Sequence, residues 1–458
     1  MTADDLGMRR SVQNRLGGSD PFPGQRTPEP ARLPLHRTIY LRLDADPDGS
    51  CRMTLMGDGL GDDGGGPLGG RLASTEKDLL AMADRLRKVW TDGFVLFLAD
   101  DDVADDRCRF AADFDLSAHR DTPEWDAALR RLARTGYDVF RAVFLTGDAG
   151  LRRAGERLRD MLRAGPQVIS FHSDVIFLPW QMLYVPPDGQ DLLDDDCAWE
   201  FDGFLGFRHH VEHVFSDRPD SFRHRLDATG GIRAGLNYDA ALDRMTPPVL
   251  RPLREMLESL PAERIERRWR ETFPALDRAL RADDYNDQIM YFNCHGWVTA
   301  AGPEEAYIAL TDGRPIYKTH FREWLTGRPL VHSPVVLINA CEGAQLSSMF
   351  LDSFGLALLA AEANCLIGPQ IEIPASFAAR YAVEFFRELL RGVSVGAVVR
   401  GLARGFAERH ANPLGLAISS YRGMDTYFDV SNSADPAPAT QRILLVSDDP
   451  VERRRTPA

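Results

Sequence analysis

Four short apolar runs constrain this chain most: QVISF at 167–171, IMYFNC at 289–294, VVLINA at 335–340 and NCLIG at 364–368. Each is continuous rather than alternating, and each leads into a polar or glycine-rich turn. Unbroken runs of this length mark strands covered on both faces, the situation of mostly parallel sheets. Long helical patterns separate them. After NCLIG, Phe377, Tyr381, Phe385 and Leu389 recur every four residues along one face, as an amphipathic helix requires. The alternation predicts an α/β fold of three layers, a mostly parallel sheet with helices on both faces.

The first part of the chain reads differently. Residues 1–35 carry Gly-Gly, several prolines and little apolar content, the composition of a disordered leader. Ile39, Leu41 and Leu43, then Cys51, Met53 and Leu55, alternate on either side of DPDG, which predicts a hairpin. The following GDGLGDDGGGPLGG contains a formal GxGxxG at 59–64. Its Asp58, Asp62 and Asp63 would repel a phosphate, so it reads as a flexible loop. Thr75 and Asp78 form a capping-box pair ahead of a helix with Leu79, Met82, Leu86 and Val89 on its apolar face. Helical pattern resumes at about 123–134 and 150–164. We therefore divide the chain into a leader at 1–35, a small β-hairpin and helical unit at 36–160 with regulation as its candidate role, a main domain at 165–430 and a tail at 431–458.

Composition excludes several classes. With 458 residues the chain buries a substantial core. No apolar run approaches the roughly 18 residues of a membrane span, and the start lacks the apolar core of a signal peptide, so a cytoplasmic protein with no membrane contact is expected. A net charge of -14 argues against direct nucleic-acid binding. The six cysteines at 51, 108, 197, 294, 341 and 365 show no CxxC pair and no framework spacing, which fits a reducing compartment and directs attention to each thiol singly.

Two strand ends carry the chemistry. IMYFNC delivers His295 and Gly296; VVLINA delivers Cys341, Glu342 and Gly343. In open α/β sheets ligands collect beyond the carboxyl ends of the strands. If the two strands are neighbours, their ends place a base beside a thiol. A nucleophilic cysteine needs that base to form its thiolate and a proton donor for the leaving amine, and histidine serves both needs. The separation, 341 minus 295, is 46 residues, close to the roughly 50 by which histidine precedes cysteine in caspase-type enzymes. Gly296 is expected to let the backbone turn sharply, so that its N–H and that of Cys341 point at a developing oxyanion.

CHG after one strand, NACEGA after the next, FLPWQMLYVPPDG at 177–189, NCLIGPQIEIPASFAARYAVEFFRELLRG, and NPLGLAISSY at 412–421 together resemble the CHAT family of caspase-like cysteine proteases, relatives of separase and caspases. The likeness covers roughly 165–425, with the motifs in family order. It implies a caspase-like fold and endopeptidase activity without metal or organic cofactor, with His295 as catalytic histidine, Cys341 as nucleophile and Gly296 as the glycine of the His-Gly pair. Relatives act in bacterial defence, sometimes cutting gasdermin-like pore-formers, so such a protein, or another neighbouring gene product, is the implied substrate, alongside an activating partner. Many relatives carry TPR repeats ahead of the protease domain. This chain has the hairpin-and-helix unit there, so TPR-based recruitment and guide-RNA control are not carried over.

Cys294 points to the opposite side of its strand from His295 and reads as core, as does Cys365. His209, His210 and His213 in HHVEH read as a strand with alternating faces rather than a metal site. DLLDDDCAWE at 191–200 reads as a solvated loop, a candidate for regulation. Asp174, Asp312 and Glu372 follow strand ends and are candidates for a pocket that favours Arg or Lys before the scissile bond. Two alternatives to a protease are a caspase-fold binding or scaffold protein with an unused dyad, and a doubly wound ligand binder. The latter calls for a glycine-rich phosphate loop after the first parallel strand, where FHSDVIF stands instead.

Overall fold

Three of the four continuous apolar runs, IMYFNC, VVLINA and NCLIG, pair side by side, and QVISF joins the same sheet apart from them. The computed structural model describes residues 35–57, 60, 68–98, 108–174, 176–187, 198–215, 223–244, 248–299, 302–340 and 354–430. Its strands are β1 (Ile39–Ala45), β2 (Ser50–Gly57), β3 (Leu68–Thr75), β4 (Val168–His172), β5 (His210–Val214), β6 (Arg225–Asp227), β7 (Ile232–Tyr238), β8 (Ile265–Arg270), β9 (Ile289–Thr299), β10 (Gly302–Ala309), β11 (Pro315–Tyr317), β12 (Val335–Ala340), β13 (Cys365–Pro369), β14 (Ile418–Tyr421) and β15 (Tyr427–Asp429). The helices are α1 (Glu76–Trp90), α2 (Pro123–Phe140), α3 (Ala149–Ala164), α4 (Leu205–Arg208), α5 (Arg251–Glu258), α6 (Phe273–Arg281), α7 (Lys318–Leu325), α8 (Leu356–Ala360), α9 (Ala375–Leu389) and α10 (Val395–His410). Cys341, the GxGxxG stretch apart from Leu60, the acidic run at 191–197, the leader up to 34 and the tail from 431 lie outside the described residues.

Among the described residues thirteen strands form one sheet. Its path runs β3-β2-β1-β4-β5-β14-β13-β12-β9, after which β9 pairs β7 through its first half and β10 through its second. Alternation along the strands assigns the two faces. Ile289, Tyr291, Val335, Leu337, Cys365 and Ile367 enter one core, packed by Leu253 of α5, Phe377 and Tyr381 of α9 and Phe406 of α10. The intervening Met290, Phe292, Cys294, Val336, Ile338 and Leu366 enter the other, packed by Leu276 of α6, Trp324 of α7 and Leu358 of α8. This is the expected α/β architecture, a sheet between two layers of helices, and burial on both sides is why its strands read as unbroken apolar runs.

The hairpin is present as expected: β1 and β2 pair antiparallel, Ile39 opposite Gly57 and Ala45 opposite Cys51. Thr75 and Asp78 close the capping box of α1. The sheet nevertheless crosses the boundary between 36–160 and 165–430. β1 pairs parallel with β4, Ile39 opposite Ile169, and Leu79, Trp90, Leu129 and Phe140 of α1 and α2 belong to the same core as Phe377 and Phe406.

One feature of the topology departs from a single parallel sheet. β7, β8, β9, β12 and β13 run together, β14 pairs antiparallel with β13, and β5, β4 and β1 follow the direction of β14. The middle of the sheet thus consists of two parallel blocks of opposite direction, with β2, β3, β10 and β11 added outside them, each antiparallel to its neighbour. The carboxyl ends of the two blocks open on opposite edges.

Candidate active site

His295 lies in β9, whose first half runs between two parallel neighbours. On one side β12 pairs with β9 in register, Val335 opposite Ile289 and Ala340 opposite Cys294. The next residues along the two chains are Cys341 and His295. On the other side β7 pairs with β9, Tyr238 opposite Asn293, and the next residue after β7 is Asp239. The ends of β7 and β12 therefore flank β9 at His295, in the spatial order β7, β9, β12.

Asp239 is the functional candidate that sequence reasoning missed. Its Oδ2 lies 3.8 Å from His295 Nε2, close enough for a charge interaction and too long for a hydrogen bond. The carboxylate is held from behind: Asp239 Oδ1 accepts the Ala241 N–H at 2.8 Å, and the Asp239 N–H donates to the Asn293 carbonyl at 2.9 Å. The following Ala240 N–H donates to Thr311 Oγ1 at 2.8 Å, which ties the segment to the turn after β10. The sequence signal was IRAGLNYD, whose Arg233, Gly235 and Asn237 interrupt its apolar pattern.

Gly296 does not turn the chain. β9 continues through it to Thr299 and pairs antiparallel with β10, Gly296 opposite Ile308 and His295 opposite Ala309. The strand runs on because β10 folds back to supply its ladder partner.

Of the acids proposed for a specificity pocket, the structure brings two to this edge. Asp312 sits in the turn after β10, exposed, and its Oδ2 accepts the Phe273 N–H at the start of α6 at 3.0 Å. Glu372 follows β13, the strand beside β12, and is partly buried. It faces a second element as well: burial, then the Glu372 carboxylate, pushes the Cys108 thiol above its ordinary value. Asp174 is elsewhere. It follows β4, four strands from β12 or about 19 Å at ordinary spacing, and β4 belongs to the reversed block, so Asp174 emerges on the opposite edge.

Cys294, Cys365, His209 and His213 have structural surroundings. Cys294 is fully buried on the face away from His295, and burial pushes the fully buried Cys365 thiol up to about 12. His209 Nδ1 accepts the Gln167 N–H at 3.0 Å. His213 Nδ1 accepts from Trp180 Nε1 at 3.2 Å, so its Nε2 donates to the Ser173 carbonyl at 3.0 Å in the neutral tautomer. Burial holds that imidazole down at about 4.

No helix among the described residues is long and apolar enough to cross a membrane. No protein-family model matches the sequence, and no curated protein matches it. Among solved structures, the chain is similar to Saccharomyces cerevisiae separase in two structures of the separase–securin complex, with TM-scores of 0.41 and 0.43 at 11% and 10% identity, each covering 85% of this chain. A complex of the Porphyromonas gingivalis RgpB pro- and mature domains is similar at a TM-score of 0.39 and 12% identity, covering 59% of this chain and 69% of that one. The likeness spans only 30% of the separase chain.

Proposed function

We propose that this chain is a caspase-like cysteine endopeptidase in which His295 and Cys341 form the catalytic dyad. The observation that carries the reading is the in-register parallel pairing of β9 and β12, Ala340 opposite Cys294, which makes 295 and 341 the next residues along neighbouring strands. His295 takes the thiol proton, and the thiolate attacks the scissile carbonyl carbon. The carbonyl π pair moves to oxygen, where the N–H groups of Gly296 and Cys341 are the proposed donors. As the C–N bond breaks, the imidazolium gives its proton to the leaving amine and a thioester remains. Water, deprotonated by His295, releases the acyl group and the thiol. Asp239 flanks the ring from the β7 side, its Oδ2 3.8 Å from His295 Nε2. The reaction calls for no metal or cofactor.

Within the same proposal, the chain is a CHAT-family member acting in the cytoplasm. Its substrate is a protein, a gasdermin-like pore-former or another neighbouring gene product, in defence or regulated proteolysis. The unit at 36–160 is its control element. Support for that control lies in Arg87 of α1, which is buried and donates to the Phe177 carbonyl at 2.7 Å and to Gln370 Oε1 at 3.2 Å, reaching the strand end of β13 beside β12.

The test is incubation of the purified chain with neighbouring gene products and a peptide library. Cleavage that is lost in both Cys341→Ala and His295→Ala, with folding intact, is the expected result. Full activity in Cys341→Ala sinks the assignment. Absence of cleavage together with ordinary reactivity of the Cys341 thiol favours the binding or scaffold alternative.

A further inference from the structure

Five asparagines are buried in the described structure: Asn237, Asn293, Asn339, Asn364 and Asn412. Four of them have their amides in use. Asn237 Nδ2 donates to the Tyr291 carbonyl at 3.1 Å. Asn339 Nδ2 donates to Tyr291 Oη at 3.2 Å and to the Ala378 carbonyl at 3.1 Å. Asn364 Nδ2 donates to the Arg223 carbonyl at 2.7 Å, and Asn412 Nδ2 to the Phe114 carbonyl at 2.9 Å. Asn293 is the exception: it is 0% exposed, and neither its Nδ2 nor its Oδ1 has a hydrogen-bond partner among the described residues.

Its place in the sheet is specific. Asn293 stands opposite Asn339 on β12 and Tyr238 on β7. Alternation along β9 puts it on the face of Tyr291 and His295, away from Cys294. It is therefore one pleat below His295, about 7 Å away along the strand, and its carbonyl is the one that accepts the Asp239 N–H. An enclosed amide without partners costs stability, whereas an apolar side chain of the same shape there would be neutral or better. Local choices that oppose stability concentrate at functional sites.

We propose that Asn293 is a positioning residue of the proposed His295–Cys341 dyad: from one pleat below, its side-chain amide hydrogen-bonds the His295 imidazole, directly or through one water, once substrate engages. Hydrogen bonds of this kind are commonly long in a substrate-free enzyme and tighten in the reacting complex. The amide supports the ring from the sheet side while Asp239 flanks it from β7. This inference rests on the peptidase reading and adds to it a reason for the polar residue that breaks the apolar run IMYFNC.

The experiment compares the full chain with Asn293→Leu and Asn293→Ser. Three quantities are read: the thermal midpoint, the rate of Cys341 alkylation by iodoacetamide against pH, followed by mass spectrometry of its peptide, and kcat and KM on a cleaved substrate. Asn293→Leu is expected to keep or raise the midpoint, to lower kcat about tenfold or more with KM little changed, and to move the alkylation profile toward that of an ordinary thiol. Asn293→Ser restores part of the rate. A merely structural asparagine would lower the midpoint and leave the pH profile alone, which overturns the proposal. If Asn293→Leu does not fold, Asn293→Ala carries the same comparison. An activated Cys341 that ignores these substitutions overturns this inference only, whereas an ordinary Cys341 in the unsubstituted chain overturns the peptidase reading as well.

Discussion

Asp239 Oδ2 stands 3.8 Å from His295 Nε2, across the join between β7 and β9. The Asp239 carboxylate is anchored by the Ala241 N–H. Asp239→Asn keeps the shape and removes the charge. It is expected to lower kcat by about tenfold, the size of one moderate charge interaction in the reacting state, while the fold is unchanged by circular dichroism. Unaltered kinetics would place Asp239 outside the chemistry.

Thiol labelling discriminates among the cysteines. Iodoacetamide at neutral pH is expected to modify Cys341 first and to leave Cys294 and Cys365 untouched in the folded protein, since both are fully buried and the Cys365 thiol is pushed up to about 12. His295→Ala slows labelling of Cys341. Equal labelling of Cys341 with and without His295 would show that the imidazole does not activate the thiol.

Acid destabilises this fold through its buried imidazoles. His213 is held at about 4, by burial first, against its ordinary 6.5. The unfolded chain takes up a proton below 6.5 that the folded chain refuses until about 4. Stability is thus full above that range and falls as pH drops through it. The thermal midpoint should decline over this interval, less steeply in His213→Gln. A midpoint independent of pH across it would contradict the buried neutral tautomer.

Removal of the N-terminal unit should not liberate a working domain. A chain starting near residue 160 strips β4 of its partner β1 and removes Leu79, Trp90, Leu129 and Phe140 from the core they share with Phe377. The product is expected to be insoluble or to bind hydrophobic dyes. A soluble, cooperatively folding fragment with full-length behaviour would refute both the shared core and the control role.

Side-chain preference is expected to follow the edge on which an acid emerges. If cleavage follows Arg or Lys, Asp312→Ala or Glu372→Ala should erode that preference several-fold, whereas Asp174→Ala should not alter it. Library profiling decides. Enrichment of Asp before the scissile bond would exclude a basic pocket altogether.

The sequence exposed the strands of the His295 block because burial on both faces makes IMYFNC and VVLINA continuous, and it exposed the strand ends because polar residues follow abruptly. The reversal at β14 was hidden. ISSY places Ser419 and Ser420 inside a buried strand, made tolerable by bonds to Gln181 Oε1 at 2.7 Å and to the Val211 carbonyl at 3.1 Å, partners more than two hundred positions away. No local pattern announces such contacts. From that one reversal follows the misplacement of Asp174. The turn expected at Gly296 failed for a similar reason, since the partner strand β10 lies beyond the motif. Asp239 was missed because Arg233, Gly235 and Asn237 broke the pattern of β7.

β14 also bears on how the molecule is made. It is the joint between the two blocks, lying between β13 and β5, and its residues, Ile418–Tyr421, come after every other strand of the sheet in chain order. During synthesis, then, both blocks leave the ribosome before the strand that unites them exists. Pairings this distant in sequence form slowly. On the peptidase reading, a nascent chain that already carries His295 and Cys341 still lacks its completed scaffold until β14 has emerged and docked.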